Sequence, residues 1–173
     1  MALIAFNELD HALNKAELIS YPLSQPSESA LFVTWKIKGD LRGCIGTFIP
    51  QPTIDLVRKY ALIAALQDPR FDPISPQEFK QLDCTVTFLG PLEPIEKDDW
   101  IIGEDGLKAT FPGNKSATFL PEVALEQNWT KHETYEMLAR KAGAMGLSGM
   151  KLMKYKGTKD RMDYNEYIKT KQN

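Results

Sequence analysis

The chain has 173 residues, 43% of them apolar, and a formal net charge of −2. That length suits one domain able to bury roughly 70% of its unfolded surface, and the near-neutral balance argues against a general nucleic-acid binder, which is ordinarily strongly basic. Two cysteines exclude a disulfide framework, the two Cys and two His show no zinc-ligand spacing, and no apolar run approaches the ~18 residues of a membrane span.

The first residues lack a basic start followed by a long apolar run, and Glu8 and Asp10 interrupt the apolar positions, so no secretory leader is expected. A reducing setting, cytoplasm or nucleus, is expected instead. Residues 151–173 carry net charge +4 and residues 1–150 net −6; the basic end reads either as a solvated face or as a surface for an acidic partner.

In chain order, residues 2–15 read as an amphipathic helix with Leu3, Phe6, Leu9 and Leu13 at three- and four-residue steps. Residues 20–29, polar with Pro22 and Pro26, read as a mobile loop. Leu31, Val33, Trp35 and Ile37 alternate with Phe32, Thr34, Lys36 and Lys38, the period of a half-buried strand. Gly39-Asp40 suits a type II′ turn, and a return strand over 41–49 follows. Thr53 is expected to cap a helix running to about residue 67, with Asp55 in its first turn.

Residues 68–73, Asp-Pro-Arg-Phe-Asp-Pro, form a stiff charged loop. It reads either as a site that aims Asp68 and Arg70 or as a structural clamp between them. Ser75 to Glu78 is a capping box with Pro76 at the first helical position, so a short helix to about 82 is expected. Residues 83–89 read as a strand with Cys84 in the core, and 96–99 as a solvated acidic loop. Residues 100–102 and 107–111 read as a hairpin turning at Asp105-Gly106. A strand over 117–120 runs into a helix opened by Pro121. Its free N–H groups are met either by Glu122 itself or by an anion. Thr130 and Glu133 form a second capping box for a helix to about 142, with Gly143 ending it. A strand over 151–156, a turn over 157–160 and a final strand or short helix over 162–168 complete the chain.

The stretch richest in chemistry is Leu41-Arg42-Gly43-Cys44-Ile45-Gly46-Thr47-Phe48. Strict alternation puts Arg42, Cys44 and Gly46 on one face. A guanidinium beside a thiol favours the thiolate and lowers its pKa below the free value of ~8.5. Gly46 leaves bare backbone, which often marks a close approach. The alternative is structural: Cys44 as a small buried residue, and the glycines as seats for the small-residue helix over 53–67.

Leu41-Arg-Gly-Cys-Ile-Gly-Thr47 resembles the hallmark of the AMMECR domain family. Residues 31–36, Asp68-Pro-Arg-Phe71 with Pro73, and Ala117-Thr-Phe-Leu-Pro-Glu-Val-Ala124 with Trp129 fit the same family, as do Arg140 to Gly143 and Tyr164 to Tyr167. Asp40 departs from the basic residue the family often has before its hallmark. The resemblance covers almost the whole chain, residues 1–173 being one such domain. It implies a mixed α+β fold with mainly antiparallel sheets, covering helices and two subdomains with a cleft between them. It implies no settled activity, and prokaryotic relatives encoded beside or fused to Memo-like and radical-SAM proteins imply a shared pathway.

Together these readings give a binding or adaptor module for a protein partner or small metabolite. Its site residues are Arg42, Gly43, Cys44, Gly46, Thr47, Asp68, Arg70, Leu120 and Glu122. The alternative is an enzyme acting on a small anionic or carbonyl substrate with Cys44 as nucleophile or redox thiol and Arg42 holding charge. A cysteine hydrolase usually needs a histidine base, and His11 and His132 stand in no recognisable context for one. Nucleic-acid binding through the basic end ranks last. No cofactor, metal or membrane contact is expected.

Overall fold

A computed structural model describes residues 1–20 and 28–172. The fold is α+β, with antiparallel strands covered by helices. Most of the loop expected over 20–29 lies outside the described residues, while Glu28 and Ser29 already belong to a strand. The chain divides into two compact units, residues 1–89 with 158–173 and residues 90–157. No helix among the described residues is long and apolar enough to cross a membrane.

The first unit holds α1 (Ala2–Asn14), β1 (Glu28–Ile37), β2 (Asp40–Pro52), α2 (Thr53–Leu66), a 3-10 turn (Phe79–Gln81), β3 (Leu82–Leu89) and α5 (Tyr164–Lys171). β1 lies between β2 and β3, antiparallel to both. Ile37 pairs with Asp40, so the hairpin loop is Lys38-Gly39, at φ 51° and 89°, rather than Gly39-Asp40. Positive φ at both positions is the type I′ pattern, whose twist matches that of the strands it joins. Leu31, Val33 and Trp35 face the helices together with Cys84 and Val86, all buried. Trp35 Nε1 donates to the Ala61 carbonyl at 3.0 Å and ties α2 to β1. Phe6 meets the Trp35 ring edge-on and stacks on Tyr167, joining α1 and α5 to the same core.

Thr53 opens α2 without capping it; its hydroxyl donates to Ser29 Oγ instead. The final segment is a helix, set by a capping box between Asp163 and Glu166. Its Lys171 reaches Asp10 at 2.6 Å, where Tyr167 and Asn14 also donate, so part of the basic C-terminal end is absorbed in the fold.

The second unit contains β4 (Glu93–Ile95), β5 (Asp105–Phe111), β6 (Lys115–Phe119), α3 (Pro121–Glu126), α4 (Lys131–Ala142) and the first part of β7 (Lys151–Asp163). β5 runs between β6 and β7, and β4 pairs with β7. Leu107 and Ala109 pack in one core with Ala124, Tyr135 and Leu138 from the two helices. Pro121 at the first turn of α3, the Thr130–Glu133 box and Gly143 at φ 68° follow the expected pattern.

Two expectations fail here. The partner of residues 107–111 is β6, reached through the turn at Pro112-Gly113-Asn114, not residues 100–102. Trp100 is instead buried in a loop, its Nε1 donating to Tyr135 Oη at 2.8 Å, and Asp105 accepts from the Ile101 amide. The turn expected over 157–160 is absent, because β7 continues to Asp163. Its last residues belong to the first unit, where Asp160 takes the Met1 amino group at 2.5 Å and Arg161 pairs with Asp83.

Candidate functional site

The register of β1 with β2 slips beside the hallmark. Trp35 pairs with Gly43 but Lys36 pairs with Leu41, so Arg42 is the extra residue of a bulge. A bulge re-aims the side chain it carries. Arg42 turns onto the loop before the 3-10 turn instead of lying along the row with Cys44. Its Nε and Nη2 donate to the two Glu78 oxygens at 2.7 and 3.2 Å, and Nη1 and Nη2 to the Asp72 and Pro73 carbonyls at 2.6 and 3.3 Å. Glu78 also accepts from the amide and hydroxyl of Ser75. The Arg42 hydrogen bond, against a smaller effect of burial and with help from Ser75, holds the Glu78 carboxyl at about 2. The expected capping box thus becomes a three-residue clamp, with Arg42 as its cation.

Cys44 stands across from Thr34. The Thr34 hydroxyl donates to Sγ at 3.2 Å. Its amide and carbonyl are both taken by the stiff charged loop: N–H donates to Asp68 Oδ2 at 3.0 Å, and Arg70 Nη2 donates to the carbonyl at 3.0 Å. β2 ends the strand order of the described residues on this side. Asp68 and Arg70 therefore supply the acceptor and donor that a further strand would supply. Asp68 also accepts from Arg70 Nε, Nη2 and the Arg70 amide. Burial alone would raise the Asp68 pKa, but the Arg70, Cys44 and backbone hydrogen bonds outweigh it and hold it at about 2. The loop clamps Asp68 to Arg70 and both to the Cys44 peptide. Asp68 is 2% exposed while Arg70 keeps 47% of its side chain in solvent, against 17% for Arg42. The cation beside the cysteine that meets solvent is Arg70.

The two hallmark glycines make room. A Cβ on Gly43 would collide with the Ala64 carbonyl of α2, and one on Gly46 with the Leu31 carbonyl and the Phe32 ring. Gly43 is thus the close seat of α2, and Gly46 lies under Phe32, its pair on β1. Thr47 takes a local role: its hydroxyl accepts from the Ile49 amide at 3.0 Å.

Leu120 and Glu122 belong to the second unit, where Leu120 precedes α3 at its N-cap position without a side-chain cap and Glu122 stands in its first turn. His11 contacts the Ala16 carbonyl at 2.7 Å, and His132 lies 3.5 Å from Glu136. Thr34 and Glu78 were not among the expected site residues. Thr34 was readable in principle as the cross-strand partner of Cys44, but only with the bulge placed.

The two thiols differ in access. Cys44 is partly exposed, whereas Cys84 is fully buried, and that burial pushes its pKa well up. Iodoacetamide is expected to alkylate Cys44 in native protein and Cys84 only after unfolding, as read by peptide mass analysis. Equal native labelling of both would contradict this arrangement.

The AMMECR1 family model matches residues 2–159. Uncharacterized protein At2g38710 of Arabidopsis thaliana is 37% identical over 185 residues, covering 97% of this chain and 86% of its own length. Uncharacterized protein YOR289W of Saccharomyces cerevisiae is 33% identical, covering 86% of this chain and 74% of its own length. The crystal structure of uncharacterized protein PH0010 from Pyrococcus horikoshii superposes with a TM-score of 0.83 at 27% identity, covering 94% of this chain and 90% of that one.

Proposed function

The chain belongs to the AMMECR1 family, and from that premise we propose that it is a binding module whose contact surface is the edge of β2 at Cys44 and Gly46. Arg70 offers its outer guanidinium there to an acidic group on a protein segment or metabolite. One observation carries this reading. The Cys44 peptide is held on both sides by Asp68 and Arg70, yet Arg70 remains half-exposed. A buried carboxylate holding an arginine that faces solvent is a preorganised anion contact, because little side-chain freedom remains to be lost on binding. Arg42 contributes by fixing the neighbouring loop through Glu78. A chain with only two cysteines, too few for a disulfide framework, suits a reducing, intracellular setting.

The enzyme reading comes second. A partly exposed thiol beside the Arg70 charge favours it. Against it, His11 is turned to a backbone carbonyl, and His132 lies beside Glu136 on its own helix, so neither histidine stands as the base of a cysteine nucleophile.

Arg70→Ala is expected to weaken the partner recovered with wild-type protein by tenfold or more, about 1.4 kcal/mol, with circular dichroism unchanged. Quantitative co-purification and calorimetry read the outcome. Undiminished affinity in that variant would remove Arg70 and this edge from the role.

A further inference from the structure

The outer edge of β2, within the first unit, presents its backbone groups in a fixed order. Cys44, Ile45 and Gly46 pair with Thr34, Val33 and Phe32 without a register shift. The Cys44 amide and carbonyl turn away from β1, to Asp68 and Arg70. Alternation therefore turns the Gly46 amide and carbonyl the same way. Along the edge come Cys44 N–H on Asp68, Cys44 C=O on Arg70, then Gly46 N–H and Gly46 C=O. Among the described residues nothing beyond the sheet bonds the last two, and Gly46 is partly exposed.

Arg70 is the cation next to this open stretch. Its Nε and Nη2 are engaged by Asp68 and the Cys44 carbonyl, while Nη1 makes no hydrogen bond among the described residues. The Phe71 ring, 5.4 Å from the guanidinium carbon, holds it further.

Two donors, Arg70 Nη1 and Gly46 N–H, are thus followed by one acceptor, Gly46 C=O. A segment added antiparallel to β2 runs toward Cys44. Its residue opposite Gly46 accepts from the Gly46 amide and donates its own N–H to the Gly46 carbonyl. The next pairing position is the Cys44 peptide, already filled by Asp68 and Arg70, so the guest chain cannot continue along the ladder. A chain that ends opposite Gly46 sets its terminal carboxylate on the Gly46 amide and against Arg70 Nη1, a charge-assisted contact. A parallel segment would instead bring an N-terminal ammonium to the guanidinium. The ladder is short at its other end too, because pairing with β1 slips beyond Thr47 and Pro50 has no N–H. Ile49, 68% exposed on this stretch, offers apolar contact to the residues before the terminus. Resting on the reading of the Cys44–Arg70 surface given above, we propose that this edge captures the extended C-terminus of another protein by its free carboxylate.

A random heptapeptide library with free C-termini, screened against the full chain, supplies the probe. The strongest binder is then compared in three forms by calorimetry and by amide shifts of ¹⁵N-labelled protein. The free acid is expected to shift the Gly46 amide saturably. Its C-terminal amide, and the form N-methylated at the last residue, are each expected to bind roughly tenfold more weakly or worse, and Arg70→Ala to weaken the free acid as much. An amidated peptide that binds as tightly as the acid, yet still depends on Arg70, would overturn terminal capture while leaving Arg70 as an anion contact. Binding indifferent to both amidation and Arg70→Ala would overturn both readings. Acetate displacing the peptide at equal concentration, or a library with no binder that shifts Gly46, would also overturn the proposal.

Discussion

Replacing Gly43 with alanine is expected to destabilise the protein by about 3 kcal/mol, the upper end of what overpacking a filled interior costs. The new methyl would sit on the Ala64 carbonyl, and backbone on both sides leaves nothing flexible to yield. α2 can lie so close because it offers Ala61, Ala64 and Ala65 to the sheet, all buried. Relief would require α2 to move off β2, disturbing the Trp35–Ala61 hydrogen bond on the same helix. Urea unfolding monitored by tryptophan fluorescence measures the effect. A G43A midpoint within about 0.5 kcal/mol of wild type, the ordinary range for a surface substitution, would show that the glycine is not a packing requirement.

Stability is also expected to fall steeply in acid, with Asp68 as a main cause. Its pKa is depressed from 3.8 to about 2 in the folded protein. A carboxyl whose folded pKa lies below its unfolded one binds fewer protons when folded. Its contribution is therefore fully present above about pH 4 and is lost as pH falls toward 2. For the buried Asp68 that contribution is about 2 kcal/mol. Glu78, likewise held at about 2, adds in the same direction and window, but at 28% exposure solvent screening reduces its share. Asp68→Asn should lose about 2 kcal/mol at pH 7 and show a flatter decline between pH 4 and 2. Denaturant midpoints at pH 7, 4, 3 and 2 for both proteins decide it. Parallel acid profiles would contradict the assignment to Asp68.

Features written in nearby residues were legible in the sequence. The alternation of residues 31–37 marks β1, Pro121 opens α3, and Thr130 with Glu133 caps α4. The stiff 68–73 loop was readable as charged and constrained, and the clamp between Asp68 and Arg70 is formed. What escaped depends on long-range pairing. Counting by twos cannot reveal that Arg42 is an inserted residue, because the bulge is defined by its partner strand. Its true partner, Glu78, is 36 residues away and read only as half of a local capping box. Gly157 and Asp160 carry turn chemistry, yet β7 runs straight through them as it passes from one unit into the other. Trp100 reads as a strand residue because two isoleucines follow it, but it is buried in a loop with its indole N–H on Tyr135, a partner 35 residues away.

The central claim is that Cys44 and Arg70 together mark a surface where a partner sits. Alkylation footprinting at Cys44 tests it most directly, with Cys84, buried on the opposite face of the strands, as internal reference. The partner recovered with wild-type protein should slow iodoacetamide labelling of Cys44 severalfold, and Arg70→Ala should restore the free rate at the same partner concentration. A Cys44 labelling rate that is the same with partner saturating the wild-type protein would contradict the account.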